Sequence, residues 1–253
     1  MMRTKSLLLI WRDKETSKYF HVGTLTHSGT TYIFEYTNKS EGPRKVKDAL
    51  EHGYRLLPSF PDLQKIYKST DLYPTFHRRI PSKDRVDYTE ILADLQLDED
   101  ADRMDILGKT RGIMVGDPYS FEKPLSLNEK TGLLSTSFYI SGMRYRNLPD
   151  NWDELVALNE PIRAVHKPVP FDENAIQLRT KENLFLGYVP AIYSQAIRSL
   201  LERNIPLSFI VNEKRPTFDE RWWAHVTFKA HIVLNYMDDK QQLNLDDLIV
   251  LVA

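Results

Sequence analysis

The sequence predicts an α+β protein in two parts, a mixed N-terminal module followed by a small six-stranded β-barrel. Three observations predict this. Strand-like runs mix with short helical segments up to residue 125. From residue 132 to residue 236 six β-prone runs accompany a single well-defined helix, an order that suits a small closed sheet. Hydrophobic residues make up 42% of the 253, enough to bury real cores without disulfides or metal staples. The expected boundaries are 1–125 for the first module, 132–236 for the barrel, and 237–253 for an acidic and apolar tail.

In the first module, Ser6 to Trp11 is apolar and β-prone, and Tyr19 to Thr26 continues the pattern with Gly23 near its middle. Thr30 to Tyr36 alternates, placing Tyr32, Phe34 and Tyr36 on one face. His27-Ser28-Gly29 supplies a tight turn between the last two runs. Pro43 to His52 reads as a helix closed by Gly53. Asp87 to Leu97 reads as another, with Asp87 as its cap and Glu90 as the reciprocal partner. Tyr88, Ile91, Leu92 and Leu95 form its apolar stripe. A short helix spans Asp102 to Leu107 and ends at Gly108. The polar stretch Lys123 to Gly132 reads as a connector.

The barrel strands are expected at Leu133–Ser141, Ile162–Lys167, Ala175–Thr180, Leu184–Val189, Leu207–Val211 and Trp222–Leu234. In the last, Ala224, Val226, Phe228, Ala230, Ile232 and Leu234 face in, while His225, Thr227, Lys229 and His231 face out. Pro190 opens the one helix, where its missing N–H costs nothing. Ile192, Ala196, Ile197, Leu200 and Leu201 supply the helix's buried face, and Asn204 closes it in a left-handed turn. The tail carries Asp238, Asp239, Asp246 and Asp247, then the apolar run Leu248 to Val252, which can dock on the body or on a partner.

Composition narrows the chemistry. There is no cysteine, so disulfides, iron–sulfur clusters and cysteine-held zinc are excluded. The same absence fits a reducing cytosol, the expected location. The N-terminal apolar run Leu7–Ile10 is too short for a signal-peptide core or a membrane span. Net charge is −1, with 34 basic and 35 acidic residues. That balance argues against a protein that coats long duplex DNA, yet leaves room for a small local site.

Motif by motif, catalysis finds no footing. Gly108-Lys109-Thr110 lacks the upstream glycine of a phosphate loop, since Arg103 stands there. Asp98, Asp100 and Asp102 open like a calcium loop, but Arg103 replaces the turn glycine and Lys109 the bidentate glutamate. No two of the seven histidines share an i, i+4 helical spacing. No Gly-x-Ser-x-Gly elbow is present. The chain is therefore expected to be neither enzyme nor metalloprotein, and to need no cofactor. Trp222 and Trp223, following Phe218, read either as a stacking platform or as rim packing.

One set of residues stands apart: Gly142-Met143-Arg144-Tyr145, then Lys167-Pro168-Val169-Pro170-Phe171-Asp172-Glu173-Asn174-Ala175-Ile176, then Leu186-Gly187-Tyr188-Val189-Pro190. In order and spacing over about 100 residues this set resembles the HIRAN domain. That family carries a Gly-x-Arg-Tyr element, a Pro-x-x-Tyr-Asp-x-Asn-Ala-Ile element and a Gly-Tyr-hydrophobic-Pro element. The resemblance implies an OB-like six-stranded barrel that binds single-stranded DNA or its 3′ end. It further implies that Asp172 accepts a hydrogen bond from the terminal hydroxyl and that Phe171 and Tyr145 hold the last nucleotide. Arg144 would hold a phosphate, and Tyr188 and Lys167 would line the same groove. Three positions depart from the pattern: Val169 for an asparagine, Phe171 for a tyrosine, and Ala191 for a basic residue. Asp172 and Asn174 can equally cap a turn, with Tyr145 and Tyr188 packing the barrel mouth.

Before residue 125, Val22-Gly23-Thr24-Leu25, Tyr32-Ile33-Phe34-Glu35-Tyr36, Leu72-Tyr73-Pro74-Thr75-Phe76 and Leu107 to Asp117 resemble the N-terminal subdomain of HipA-type toxin kinases. The kinase core is absent. Together the two resemblances imply a non-catalytic DNA-binding adaptor in a toxin–antitoxin, phage-defence or DNA-processing setting. Its barrel would take a DNA strand or end, and its N-terminal half would recruit a protein such as a kinase, helicase or nuclease. The competing expectation is a protein-binding regulator, an antitoxin-like neutraliser of a HipA-type kinase with no DNA role.

Overall fold

The three β-prone runs at the start of the chain form an antiparallel meander, β1 (Lys5–Arg12), β2 (Tyr19–Ser28) and β3 (Thr31–Tyr36). Two short strands extend it, β4 (Tyr67–Ser69) and β5 (Tyr119–Glu122), giving the order β4-β3-β2-β1-β5. The computed structural model describes residues 5–40, 43–170, 172–232 and 248–252. It divides into two units, Met1–Pro124 and Leu125–Ala253.

In the first unit the alternation of β3 works as expected, since Tyr32, Phe34 and Tyr36 are all buried. Phe34 joins Phe60 and Phe76 in an aromatic cluster, with centroids 4.3 Å and 5.5 Å from its own. Gly23 makes room for it: a methyl group there would meet the Phe34 ring at 2.7 Å. Among the described residues four α-helices accompany the sheet, α1 (Val46–Glu51), α2 (Pro74–His77), α3 (Tyr88–Asp94) and α4 (Arg103–Thr110).

Helix α3 is shorter than the sequence predicts, and Asp87 does not cap it with its side chain. The carboxylate instead grips Arg85 through two bonds of 2.8 Å and 2.7 Å, and a bidentate charge-assisted pair outcompetes a single amide. The capping box belongs to α4. Asp102 accepts from the amides of Met104 and Asp105, and Asp105 accepts from the amide of Asp102 at 3.0 Å. Lys5 reaches both carboxylates, at 3.0 Å and 2.5 Å, and so ties α4 to β1. The helix runs on through Gly108 and ends at Arg111, whose φ of 51° is left-handed.

The second unit contains every expected strand: β7 (Leu133–Tyr139), β8 (Pro161–His166), β9 (Ile176–Arg179), β10 (Phe185–Tyr188), β11 (Leu207–Lys214) and β12 (Ala224–His231). It adds two, β6 (Leu125–Asn128) and β13 (Ile249–Val252). The sheet order is β10-β9-β8-β11-β12-β7-β6-β13. Beyond the end of β7, Ser141 and Tyr188 exchange both backbone hydrogen bonds at 2.8 Å. That bridge returns β10 to the β7 strand and curls the sheet upon itself.

β6 falls in the stretch read from sequence as a connector. It shows only two alternating apolar residues, Leu125 and Leu127, between polar neighbours, yet both are fully buried. The apolar end of the tail docks on the body: β13 runs parallel to β6, pairing Ile249 with Leu125 and Val252 with Asn128. The tail aspartates and Leu234 lie outside the described residues.

In β12 the inward set Ala224, Val226, Phe228 and Ala230 is buried and Lys229 and His231 are exposed, as the alternation requires. Helix α5 (Ala191–Glu202) buries Tyr193, Ser194, Ala196, Ile197 and Leu200. Its inner face is thus turned toward Tyr193, which stacks on Phe138 of β7 at 5.5 Å. Ile192 and Leu201 are half-buried at its flanks. Asn204 adopts φ 56° beyond the helix end.

Candidate nucleic-acid interface

The site grows out of two glycines. Gly142 follows β7 with φ 72° and ψ 21°, a left-handed conformation that starts the turn Met143–Tyr145. Gly187, in β10, approaches the same segment: a methyl group on it would sit 2.6 Å from the Ser141 carbonyl oxygen and 2.7 Å from Ile140. Only glycine permits the approach that forms the Ser141–Tyr188 bridge. The Gly-Tyr pair of the third motif is therefore a closure device, and it delivers Tyr188 to the turn that carries Arg144 and Tyr145. A methyl group on Gly142 would lie 3.8 Å from the Tyr188 ring and 4.0 Å from the Tyr145 ring.

Around that point arginines and aromatic rings interleave. The Arg144 guanidinium lies 4.5 Å from the Tyr145 ring centroid. Arg146 lies 4.9 Å from the Phe185 centroid and 5.3 Å from that of Tyr188. Phe185 and Tyr188 meet edge to face at 5.2 Å. Arg179, the cross-strand partner of Phe185, lies over the same ring at 4.8 Å. Its guanidinium donates to the Gln177 side chain at 3.0 Å and 2.7 Å and to the Asn183 carbonyl at 3.2 Å.

The outer end of this strip is electrically neutralised. Arg144 forms an ion pair with Glu220 and donates to the Tyr145 hydroxyl at 2.5 Å. The Glu220 bond, and then the Tyr145 one, raise the Arg144 pKa above its ordinary value, and the same contact lowers that of Glu220. Asp219 beside it pairs with Arg221 at 2.7 Å. Tyr145 remains 63% exposed.

Of the residues singled out in the sequence, Arg144, Tyr145 and Tyr188 come together here. Lys167 is exposed at the end of β8, its amide bonded to the Ala175 carbonyl at 2.9 Å. Asp172 lies in the β8–β9 loop with 8% exposure, in an isolated bridge with Val169. One of its carboxylate oxygens accepts the Asn174 amide at 3.1 Å. Asn174 in turn accepts from Arg198 of α5 at 3.0 Å, while Ala175 and Ile176 are buried. Asp172 and Asn174 thus have a part in shaping this loop. Phe171 lies outside the described residues.

The paired tryptophans pack: Trp222 meets Tyr139 edge to face at 4.9 Å, and Trp223 stacks on Trp152 at 5.7 Å. Three strip residues were not singled out from the sequence, Arg146, Arg179 and Phe185. Their signal is positional. Arg179 and Phe185 flank one tight turn at the distance of cross-strand partners, and Arg146 is the residue after the first motif. Among the described residues no His, Asp or Glu cluster is suited to a metal ion, and no helix is long and apolar enough to cross a membrane.

Two solved structures are similar. One is the HIRAN domain of human HLTF, at 17% identity and a TM-score of 0.31, covering 38% of this chain and 74% of that one. The other is a protein from Lactobacillus plantarum, at 16% identity and a TM-score of 0.34, covering 39% of this chain and 97% of that one. No protein-family model and no curated protein matches the chain. None of these comparisons supports the likeness of the N-terminal half to HipA-type kinases.

Proposed function

We propose that the second unit is a non-catalytic binding module for single-stranded DNA, acting through an OB-like barrel of six strands, β7 to β12, closed at the Ser141–Tyr188 bridge. The observation that carries this reading is the strip in which Arg146 and Arg179 interleave with Phe185 and Tyr188 beside the exposed Tyr145 ring. Rings of this kind stack bases without regard to sequence, at about 1–3 kcal/mol per base, and guanidinium groups meet the intervening phosphates. The sequence resemblance to the HIRAN domain points the same way. A net charge of −1 fits a short site better than a long track along DNA.

The finer reading adds recognition of a 3′ end, with Asp172 accepting the terminal hydroxyl. It also adds recruitment of a protein partner by the first unit, which rests on resemblance alone. The test is fluorescence anisotropy of the full chain with short labelled oligonucleotides: single-stranded with a 3′-hydroxyl, single-stranded with a 3′-phosphate, and duplex. Single strands are expected to bind best, and more weakly as salt rises. No binding to any oligonucleotide at low salt rejects the reading. Equal affinity for the two 3′ ends removes the terminal part alone. A pull-down with the full chain that returns no protein removes the recruiting role.

A further inference from the structure

Arg144 and Arg146 stand two residues apart beside the same glycine, yet their surroundings differ in kind. Arg144 is already satisfied: a carboxylate of Glu220 forms an ion pair with it, and the Tyr145 hydroxyl accepts from it at 2.5 Å. A phosphate arriving there must displace one anion to bind as another, and such an exchange gains little. Arg146 is half-buried against the rings of Phe185 and Tyr188, 4.9 Å and 5.3 Å from their centroids. Its Nε donates to the Gly142 carbonyl at 3.3 Å. Among the described residues no carboxylate lies within ion-pair distance of it, and nothing accepts from Nη1 or Nη2.

We infer that Arg146, and not Arg144, is the group that holds a phosphate of a single-stranded nucleic acid here, while Glu220 keeps Arg144 out of that role. This rests on the proposed DNA-binding function and specifies which cation serves it. A guanidinium packed against two rings and tied through Nε to the Gly142 carbonyl keeps its hydrogen-bonding edge in one orientation, so less side-chain freedom is lost when an anion binds. That edge presents a two-pronged donor matched to two oxygens of a phosphate. The exposed Tyr145 ring and the Phe185–Tyr188 pair beside it favour a nucleotide over an acidic peptide, because a base has a flat face to stack and a carboxylate side chain has none.

The experiment measures anisotropy of a labelled single-stranded oligo-dT against salt for the full-length wild type, Arg146→Ala, Arg146→Lys, Arg144→Ala and Glu220→Gln, with thermal melting as the folding control. Arg146→Ala is expected to weaken binding about tenfold and to reduce the salt slope by about 0.7, the value of one single-strand phosphate contact. Arg146→Lys keeps the slope but loses affinity, and this variant serves if the alanine one fails to fold. Arg144→Ala changes affinity by less than about twofold, the scale of an exposed ion pair. Glu220→Gln tightens binding and steepens the slope, because it releases Arg144.

A larger loss for Arg144→Ala than for Arg146→Ala, an unchanged slope in Arg146→Ala, or an undiminished affinity in Arg146→Lys overturns the inference while leaving the function standing. Competition by a polyglutamate peptide as strong as that by unlabelled oligo-dT overturns its nucleotide part. If the wild type binds no oligonucleotide, the function fails first, and phosphorus NMR with inorganic phosphate then decides the anion site. Line broadening with wild type but not with Arg146→Ala supports it, and no broadening with either overturns it.

Discussion

At the scale of single residues, close approaches decide more than charges do. Gly187 sits where any side chain would strike the Ser141 carbonyl, so Gly187→Ala is expected to cost roughly 1–3 kcal/mol in urea unfolding. It should also weaken oligonucleotide binding, because Tyr188 moves with the bridge. Asp172→Asn keeps an oxygen to accept the Asn174 amide and removes the charge. The variant should lose any preference for a 3′-hydroxyl over a 3′-phosphate if Asp172 reads the strand end, with thermal melting as the folding control. His21 offers a pH test. It is fully buried, its Nε2 3.1 Å from the Thr24 hydroxyl, and burial, then Lys45, holds its pKa well below the usual histidine value. The folded state keeps it neutral while the unfolded chain takes a proton near about pH 6.5. Its stabilisation is therefore complete above that pH and falls as pH drops, by at most about 1.4 kcal/mol per pH unit. His21→Gln should flatten this part of the stability profile; an unchanged profile counts against the assignment. Residue types at the site were legible in the motifs, but their duties were not. Arg144 is visible as a cation in the sequence, whereas Glu220, the group that neutralises it, lies far along the chain.

Elements were legible where a period persisted. The six β-prone runs of the second unit are strands, and β12, read from sequence as strongly alternating, keeps its in–out pattern through every described residue. β6 escaped, because its two apolar residues, Leu125 and Leu127, stand in an otherwise polar stretch. Capping was misplaced for a related reason. Asp87 and Asp102 look alike as local strings, and the difference lies in Arg85 beside one and Lys5 across the sheet from the other. Asp102→Ala should lower stability by at least about 1 kcal/mol, since it removes a cap and a partner of Lys5 together. The check is chemical denaturation, with Asp87→Ala as a comparison expected to have a smaller effect. Removing residues 248–253 should uncover the outer edge of β6, lowering stability and promoting self-association by edge pairing, seen as a concentration-dependent shift in sedimentation. A monomer as stable as the full chain would argue against that.

At the scale of the whole molecule, one sheet belongs to each unit. The two units are expected to unfold in two transitions. The one assigned to the first unit should respond to acid through His21, and the one assigned to the second should respond to Gly187→Ala. Coincident movement of both transitions in either experiment would show a single cooperative unit instead. The strip of arginines and rings was not legible in the sequence, because it assembles from β10, β9 and the turn after β7 through cross-strand register, which a linear string does not display. The parallel pairing of β6 with β13 has a consequence for synthesis. Strand β6 leaves the ribosome first among the strands of its unit and β13 last. Until β13 emerges, β6 therefore has an open flank. On a crowded polysome the same flank is available to the β13 segment of a neighbouring copy, so exchange of that strand between chains is a misassembly to which this pairing is open.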